Sequence, residues 1–232
     1  MPAMTRLLAV DTSAGRGSVA LLDGGSVLTD YSDEPRSHTR RLEPMVNGLL
    51  AQSGLRLGDL DALAFGAGPG SFTGLRVTAG LVQGLAFGLQ LPVVPVSSLR
   101  AMAHAVHGRL DAPAEVAVAR DARMGELYWG LYRVTPEAAV EPLLPDSLVS
   151  PAALSLPETT GVWLGVGDGW LLREAIPDPV LARMETIMPD VMPEAGAIAC
   201  LAETLLHQGE WVGAEAVQPV YLRDDVAWQT SA

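Results

Sequence analysis

Two stretches of the 232-residue chain carry residue types that can bind phosphate. Asp11-Thr12-Ser13 follows a short apolar run, Leu7 to Val10, and places one carboxylate and two hydroxyls in a turn. A carboxylate there could orient hydrated magnesium while turn N–H groups meet phosphate oxygens. An aspartate that hydrogen-bonds its own turn has the same sequence. The second stretch, Gly66 to Arg76, joins an apolar run, Ala62 to Phe65, to a Gly- and Leu-rich segment ending near Gln90. A strand thus hands over to a helix through glycines. Such a turn suits a phosphate held by free N–H groups at a helix start. It equally suits the close approach of a second polypeptide, because glycine has no Cβ.

The named phosphate patterns are not met. No Gly-Lys-Ser/Thr ends the loop, and the third glycine of a dinucleotide fingerprint falls at Thr73. Ser71 is not a nucleophile elbow, since Pro69 and Thr73 stand where Gly-x-Ser-x-Gly has glycine. Ser71 or Thr73 capping the following helix is the simpler reading. A strand ending in aspartate is how actin-like ATPases and sugar kinases begin their phosphate site, but a working site needs a second glycine loop. After Asp121 the chain has Ala122-Arg123-Met124 instead. An autonomous ATP-dependent kinase built on Asp11, Thr12 and Ser13 is therefore the alternative reading, and the nucleotide site is expected to be degenerate.

Other reactive groups offer little. His104 and His107 sit three apart on a polar helix end and His207 stands alone, so all three read as solvated or capping residues. His38 lacks a second helical ligand four residues on, where Leu42 stands. Arg120, Asp121, Arg123 and Glu126 form a dense charge group. Surface salt bridging is the default for such a group, and a docking patch the sharper alternative. No nucleophile, base and orienting group can be paired, so no catalytic residue and no metal ligand is expected.

Composition narrows the partners. A net charge of −12, with all 15 basic residues arginine, disfavours direct grip on nucleic acid, whose affinity rests on phosphate contacts. Lysine is absent, which excludes a Schiff base on this chain. The single Cys200 excludes an internal disulfide and suits a reducing cytoplasm. Met1 to Thr5 shows no apolar leader, no run reaches 18 apolar residues, and 49% hydrophobic residues suffice for a real core, so a soluble cytoplasmic protein without membrane contact is expected.

The elements that hold these stretches follow from periodicity. Leu7 to Val10, Ser18 to Leu22 and Val27 to Tyr31 read as three antiparallel strands, the last two joined at Asp23-Gly24-Gly25. Ser37 to Gln52 reads as a helix with Leu42, Met45, Val46, Leu49 and Leu50 on one face and Pro44 inside or in its first turn. Val93 to Val96 reads as a strand, and Leu99 to about His107 as a helix. Gly108 to Pro113 is the best domain boundary. Val116 to Ala119 and Leu127 to Val134 then repeat the opening plan of strand, aspartate, glycine loop, strand. Pro136 to Pro157 and Pro179 to Pro193 are proline-rich and stay unassigned around a strand at Val162 to Val166, and Ala195 to Leu206 reads as a helix. The expected architecture is α/β, in two similar halves at 1–108 and 109–215, with a tail at 216–232 that returns to the first half and is loose from Asp224 on.

The segment after the glycine block is the most unusual. Between Gly74 and Gln90 only Arg76, Thr78, Gln83 and Gln90 are polar, which suits a helix buried on most sides. Gly80, Gly84 and Gly88 recur every four residues and share a face with Arg76. Each interior glycine costs about 0.8–1 kcal/mol relative to alanine, so the stripe predicts the close approach of another helix. That helix could belong to the same fold or to another subunit.

Five motifs in order resemble one family: Leu8-Ala9-Val10-Asp11-Thr12-Ser13, the nine residues Gly68 to Arg76, Ser97-Ser98-Leu99, Asp121 to Tyr128, and Pro219-Val220-Tyr221-Leu222-Arg223. They are similar to the TsaB family of bacterial tRNA threonylcarbamoyladenosine biosynthesis proteins, and they span nearly the whole chain. The resemblance implies two ribonuclease H-like subdomains of the actin-like ATPase superfamily, with mixed sheets flanked by helices. It also implies a dimerisation subunit without chemistry of its own. The partners would be a TsaD-like paralogue that transfers threonylcarbamoyl to the adenosine beside the anticodon, and a TsaE-like ATPase. ATP and a metal would belong to those partners, with a nucleotide at a subunit interface as a further possibility. Transfer RNA would be met only indirectly, and the free chain would pair with itself. In the family the helices before and after the glycine block form the interface, which here implicates Leu42, Met45, Leu49, Ser71, Phe72, Thr73, Arg76, Gly80, Gly84 and Gly88. The catalytic paralogue has two metal-binding histidines four apart, whereas this chain has His38 followed by Leu42.

Overall fold

A computed structural model describes residues 5–32, 38–158 and 163–223, without the side chains of His38 and Thr39. The predicted positions Ser37 and Val162, the His38 side chain and the tail from Asp224 lie outside the described residues. The first half contains β1 (Arg6–Asp11), β2 (Gly17–Asp23), β3 (Ser26–Ser32), α1 (His38–Ser53), β4 (Ala62–Gly68), α2 (Phe72–Leu89), β5 (Val93–Ser97) and α3 (Ser98–His104). The second contains β6 (Ala114–Arg123), β7 (Glu126–Val134), β8 (Val140–Val149), β9 (Trp163–Val166), the short helix α4 (Asp178–Leu181), β10 (Met184–Met188) and α5 (Ala195–His207).

Each half is a five-stranded mixed sheet with one plan. The orders are β3-β2-β1-β4-β5 and β8-β7-β6-β9-β10. The first three strands of each run antiparallel, and the last two join the first in parallel. The internal repeat expected at residues 7–22 and 116–134 is thus the pair of opening hairpins. Two strands were not expected. β8 holds Pro142 and Pro145 yet pairs only with β7, so it is an edge strand whose prolines need not break a ladder on its outer side. β10 is the other edge.

Alternation along the strands sorts the core into layers. Leu8 and Val10 of β1 face α1 and α2, together with Leu42, Met45, Leu49, Val82 and Ala86. Leu7 and Ala9 face the middle of the molecule, where α3 and α5 lie between the two sheets with Val116 and Val118 of β6. Ala117 and Ala119 face the outer layer formed by residues 168–181. The final helices are exchanged. α3, from the first half, packs on β6, β7 and β8 as well as on β4 and β5, whereas α5, from the second half, packs on β1, β2 and β4. The expected grouping of 109–215 is corrected to that extent: α5 presents Ile198, Leu201, Ala202 and Leu205 to the first sheet, and Ala195 N–H donates to Ser18 Oγ at 2.9 Å. The chain stays with the first half from there, since Val212 pairs with Val93 and Val220 N–H donates to Ala67 O.

By length and composition alone α2 could cross a membrane. Its flanking strands β4 and β5 are hydrogen-bonded to each other in one sheet, so it is a crossover helix of this fold instead.

Candidate functional site

The turn after β1 is closed by the chain itself. Asp11, Thr12 and Ser13 are all fully buried. Asp11 Oδ2 accepts from the Ser13 N–H at 3.3 Å and from the Ser13 hydroxyl at 3.2 Å. Its Oδ1 has no hydrogen-bond partner among the described residues. Burial pushes the Asp11 pKa up to about 6, against the opposing pull of the Ser13 hydrogen bonds and the Arg120 charge. Thr12 Oγ1 donates to Gly74 O at 2.7 Å and lies 2.6 Å from Thr78 Oγ1.

The glycine block lies directly on this turn. A Cβ on Gly74 would stand 1.8 Å from Thr12 O, one on Gly70 2.6 Å from Ser13 O, and one on Gly66 2.0 Å from Asp11 Oδ1. These glycines are required by the close approach of polypeptide, and the polypeptide is the chain's own. Ser71 N–H donates to Ser13 O at 2.8 Å, and Ser71 Oγ accepts from Gly74 N–H at 3.3 Å, so Ser71 caps α2 as expected. The N–H that opens the loop is spent on the β1 turn.

Arg120 completes the closure from the other half. It is buried, and it donates to Ser13 O at 2.6 Å and to Pro69 O at 3.2 Å. The expected surface cluster of Arg120, Asp121, Arg123 and Glu126 therefore divides. Arg120 turns inward, while Arg123 stays exposed and pairs with Asp121 at 3.1 Å, and Glu126 pairs with Arg223 at 2.6 Å. Asp121 N–H donates to Asp168 Oδ1 at 2.9 Å. A cleft of about 1010 Å³ remains between the halves, lined by Ser71 to Gly74, Arg120 to Arg123 and Asp168.

The histidine readings need one correction. His104 is buried with Nε2 unpartnered among the described residues, and burial lowers its pKa to about 4. Its ring lies 4.5 Å from that of His107, whose Nδ1 is 2.8 Å from His104 O. His207 Nε2 lies 3.4 Å from Thr5 Oγ1. No group of three or more metal-ligating side chains converges among the described residues.

The predicted interface set divides by helix. Leu42, Met45 and Leu49 are buried in the chain's own core against the first sheet, so they are not available to another subunit. The apolar spacing that singled them out is the inward face of an ordinary amphipathic helix. On α2 the result is different. Phe72, Thr73, Arg76, Gly80, Gly84 and Gly88 are exposed, as is Ser71 before it. Among the described residues, no atom beyond the helix's own nearby backbone lies within 4 Å of a Cβ placed on Gly80, Gly84 or Gly88, so no described helix covers the stripe. Phe87, 80% exposed, stands beside it. Gln83 Nε2 donates to Ala214 O at 2.9 Å, and the segment Ala214–Glu215 forms one wall of a groove of about 350 Å³ along Gly80, Gly84 and Phe87. Phe87 escaped sequence reading, although its position three residues after Gly84 puts it on the same face. At the helix start, the Arg76 guanidinium carbon lies 3.8 Å over the Phe72 ring, and Arg76 Nε donates to the Tyr221 hydroxyl at 3.2 Å.

Two mixed sheets of identical order with exchanged final helices define a ribonuclease H-like protein of the actin-like superfamily, here with the turn after β1 filled by polypeptide. The family described as TsaD, tRNA N6-adenosine threonylcarbamoyltransferase, matches residues 32–229. The chain is 39% identical to the tRNA threonylcarbamoyladenosine biosynthesis protein TsaB of Escherichia coli, over 97% of both chains. It is 37% identical to the protein of the same name from Haemophilus influenzae, over 96% of this chain and 95% of that one. A solved structure, YeaZ from Pseudomonas aeruginosa, matches with a TM-score of 0.87 at 41% identity, over 94% of this chain and 100% of that one. This chain belongs to the TsaB family, within the wider TsaD family.

Proposed function

We propose that the chain takes part in tRNA threonylcarbamoyladenosine synthesis as a non-catalytic dimerisation subunit, docking a TsaD-like catalytic paralogue on the exposed face of α2. The family name supports the pathway. The observation that carries the role is the coexistence of a closed turn and an open face. Asp11, Thr12 and Ser13 are occupied by the glycine loop and Arg120, while Gly80, Gly84 and Phe87 lie uncovered. A glycine stripe lets a partner backbone come close, and the groove beside it accepts an apolar side chain.

In this reading ATP and metal chemistry belong to the paralogue and to a TsaE-like ATPase, with any nucleotide near this chain held at a subunit boundary. The net charge of −12 leaves tRNA to the partners. Without a partner the same face pairs two copies in the cytoplasm, because an exposed apolar helix face is otherwise left in water.

The test is Gly80→Leu combined with Gly84→Leu. Both positions have open space and gain helix propensity, so the variant stays folded. Association with the paralogue, read by light scattering, is expected to vanish, and threonylcarbamoyladenosine to disappear from tRNA in a reconstituted reaction. Undiminished association and modification would overturn the docking face.

A further inference from the structure

The closing stretch, residues 219–223, and the β6–β7 turn are far apart in sequence and meet in space. The stretch starts on the first half. Val220 N–H donates to Ala67 O at 2.7 Å, and a Cβ on Gly68, which has φ +113°, would stand 2.7 Å from Val220 O. It then crosses the start of α2, where the Tyr221 ring centroid is 5.5 Å from that of Phe72 and its hydroxyl accepts from Arg76. It ends on the second half. Arg223 Nη2 pairs with Glu126 at 2.6 Å and donates to Ala122 O at 3.3 Å and Arg123 O at 3.4 Å, while Nη1 lies 2.8 Å from Met124 Sδ.

The turn it grips is unusual. Arg123, Met124 and Gly125 have φ of 65°, 57° and 76°, a left-handed run that non-glycine residues rarely adopt. One guanidinium gathers the Ala122 and Arg123 carbonyls at the entry to that bend and the Glu126 carboxylate after it, so Arg223 stabilises the turn as well as the contact. The Arg223 side chain is 21% exposed, beneath a surface on which Val220, Tyr221 and Met124 are open. The two walls of the cleft, the start of α2 and residues 120–123, are the two ends of this tie.

We infer that residues 219–223 are a strap that extends the α2 docking face through Val220 and Tyr221 and pins it to the second half through Arg223. Partner docking and a fixed cleft then support each other. The coupling rests on the proposed docking of the paralogue at α2, whereas the strap itself does not. By linkage, whatever loosens the Arg223 end weakens the partner, and the partner tightens the Arg223 end by the same factor.

Hydrogen exchange on the full-length chain tests both parts, using Arg223→Ala and Arg223→Lys. In the isolated protein, Arg223→Ala is expected to speed exchange at residues 122–126 and at Val220 by roughly tenfold or more, with β1 and β4 unchanged. Arg223→Lys keeps the charge for Glu126 without the fork that reaches two carbonyls, so it falls between. With the paralogue bound, wild type gains protection at 122–126, while Arg223→Ala binds about tenfold more weakly and gains none. Equal exchange at 122–126 in wild type and Arg223→Ala overturns the strap. Undiminished partner affinity in a variant whose turn has loosened overturns the coupling. Docking that survives Gly80→Leu with Gly84→Leu overturns the docking face instead, and the isolated-chain exchange still decides the strap.

Discussion

The ends of β1 and β6 occupy equivalent places in two sheets of the same order, and each carries an aspartate, yet the two have opposite fates. Asp11 is fully buried against Gly66 of its own chain, with one oxygen unpartnered among the described residues. Asp121 lies at the edge of the cleft, where its side chain is 27% exposed and pairs with Arg123. In the first turn a backbone carbonyl, Ser13 O, receives the loop; in the second, the carboxylate of Asp168 receives the turn's N–H. One topology therefore supports two kinds of closure. What remains outward-facing is α2, the helix that the first closure orients.

Substitutions can break this contrast, and the largest effect belongs to Gly74→Ala. A Cβ there meets Thr12 O at 1.8 Å, a backbone atom that cannot swing aside, so urea unfolding is expected to show a loss of about 3 kcal/mol or more. The corresponding probe of the open turn is Gly125→Ala, where nothing lies within 4 Å and only the φ of +76° resists; its cost is about 1 kcal/mol. Equal losses at the two sites would erase the distinction.

Arginines supply the next comparison. Arg120→Ala removes two buried bonds across the halves and the cation facing Asp11, for an expected loss of about 2–4 kcal/mol. Arg123→Ala removes an exposed pair and changes stability by less than about 0.5 kcal/mol. Chemical denaturation of both variants under one set of conditions separates them.

The pH dependence should follow Asp11. Its pKa is raised from 3.8 to about 6, so the folded state holds this proton more tightly than the unfolded chain does. The associated stability is fully present below about pH 4 and lost as pH rises through about 6, on the order of 2–3 kcal/mol. Asp11→Asn is expected to flatten that slope and to be at least as stable as wild type at pH 7, as measured by thermal unfolding across the range.

Much of this was legible in order along the chain. The opening hairpins, the strand–glycine–helix unit and the Ser71 cap follow from local periodicity and turn chemistry. β8 and β10 were not, because proline argues against a strand unless the strand is known to lie at an edge. Arg120 was read as a surface charge because it stands beside Asp121 and Arg123, and only the pairing of the halves shows that its side chain points to Ser13 O. Leu42, Met45 and Leu49 show the converse limit: an apolar helix face reads the same whether it meets its own sheet or a partner. The glycine stripe of α2 left both readings open, and the empty space beside Gly80 and Gly84 leaves no described helix of the same fold to fill the first.

The central claim is that Asp11, Thr12 and Ser13 serve packing and hold no nucleotide. Isothermal calorimetry of the isolated chain with ATP and magnesium tests it most directly, alongside Asp11→Ala. No saturable binding is expected up to about 1 mM nucleotide in either protein. Tight, magnesium-dependent binding that disappears in Asp11→Ala would contradict it and restore an autonomous nucleotide-binding enzyme.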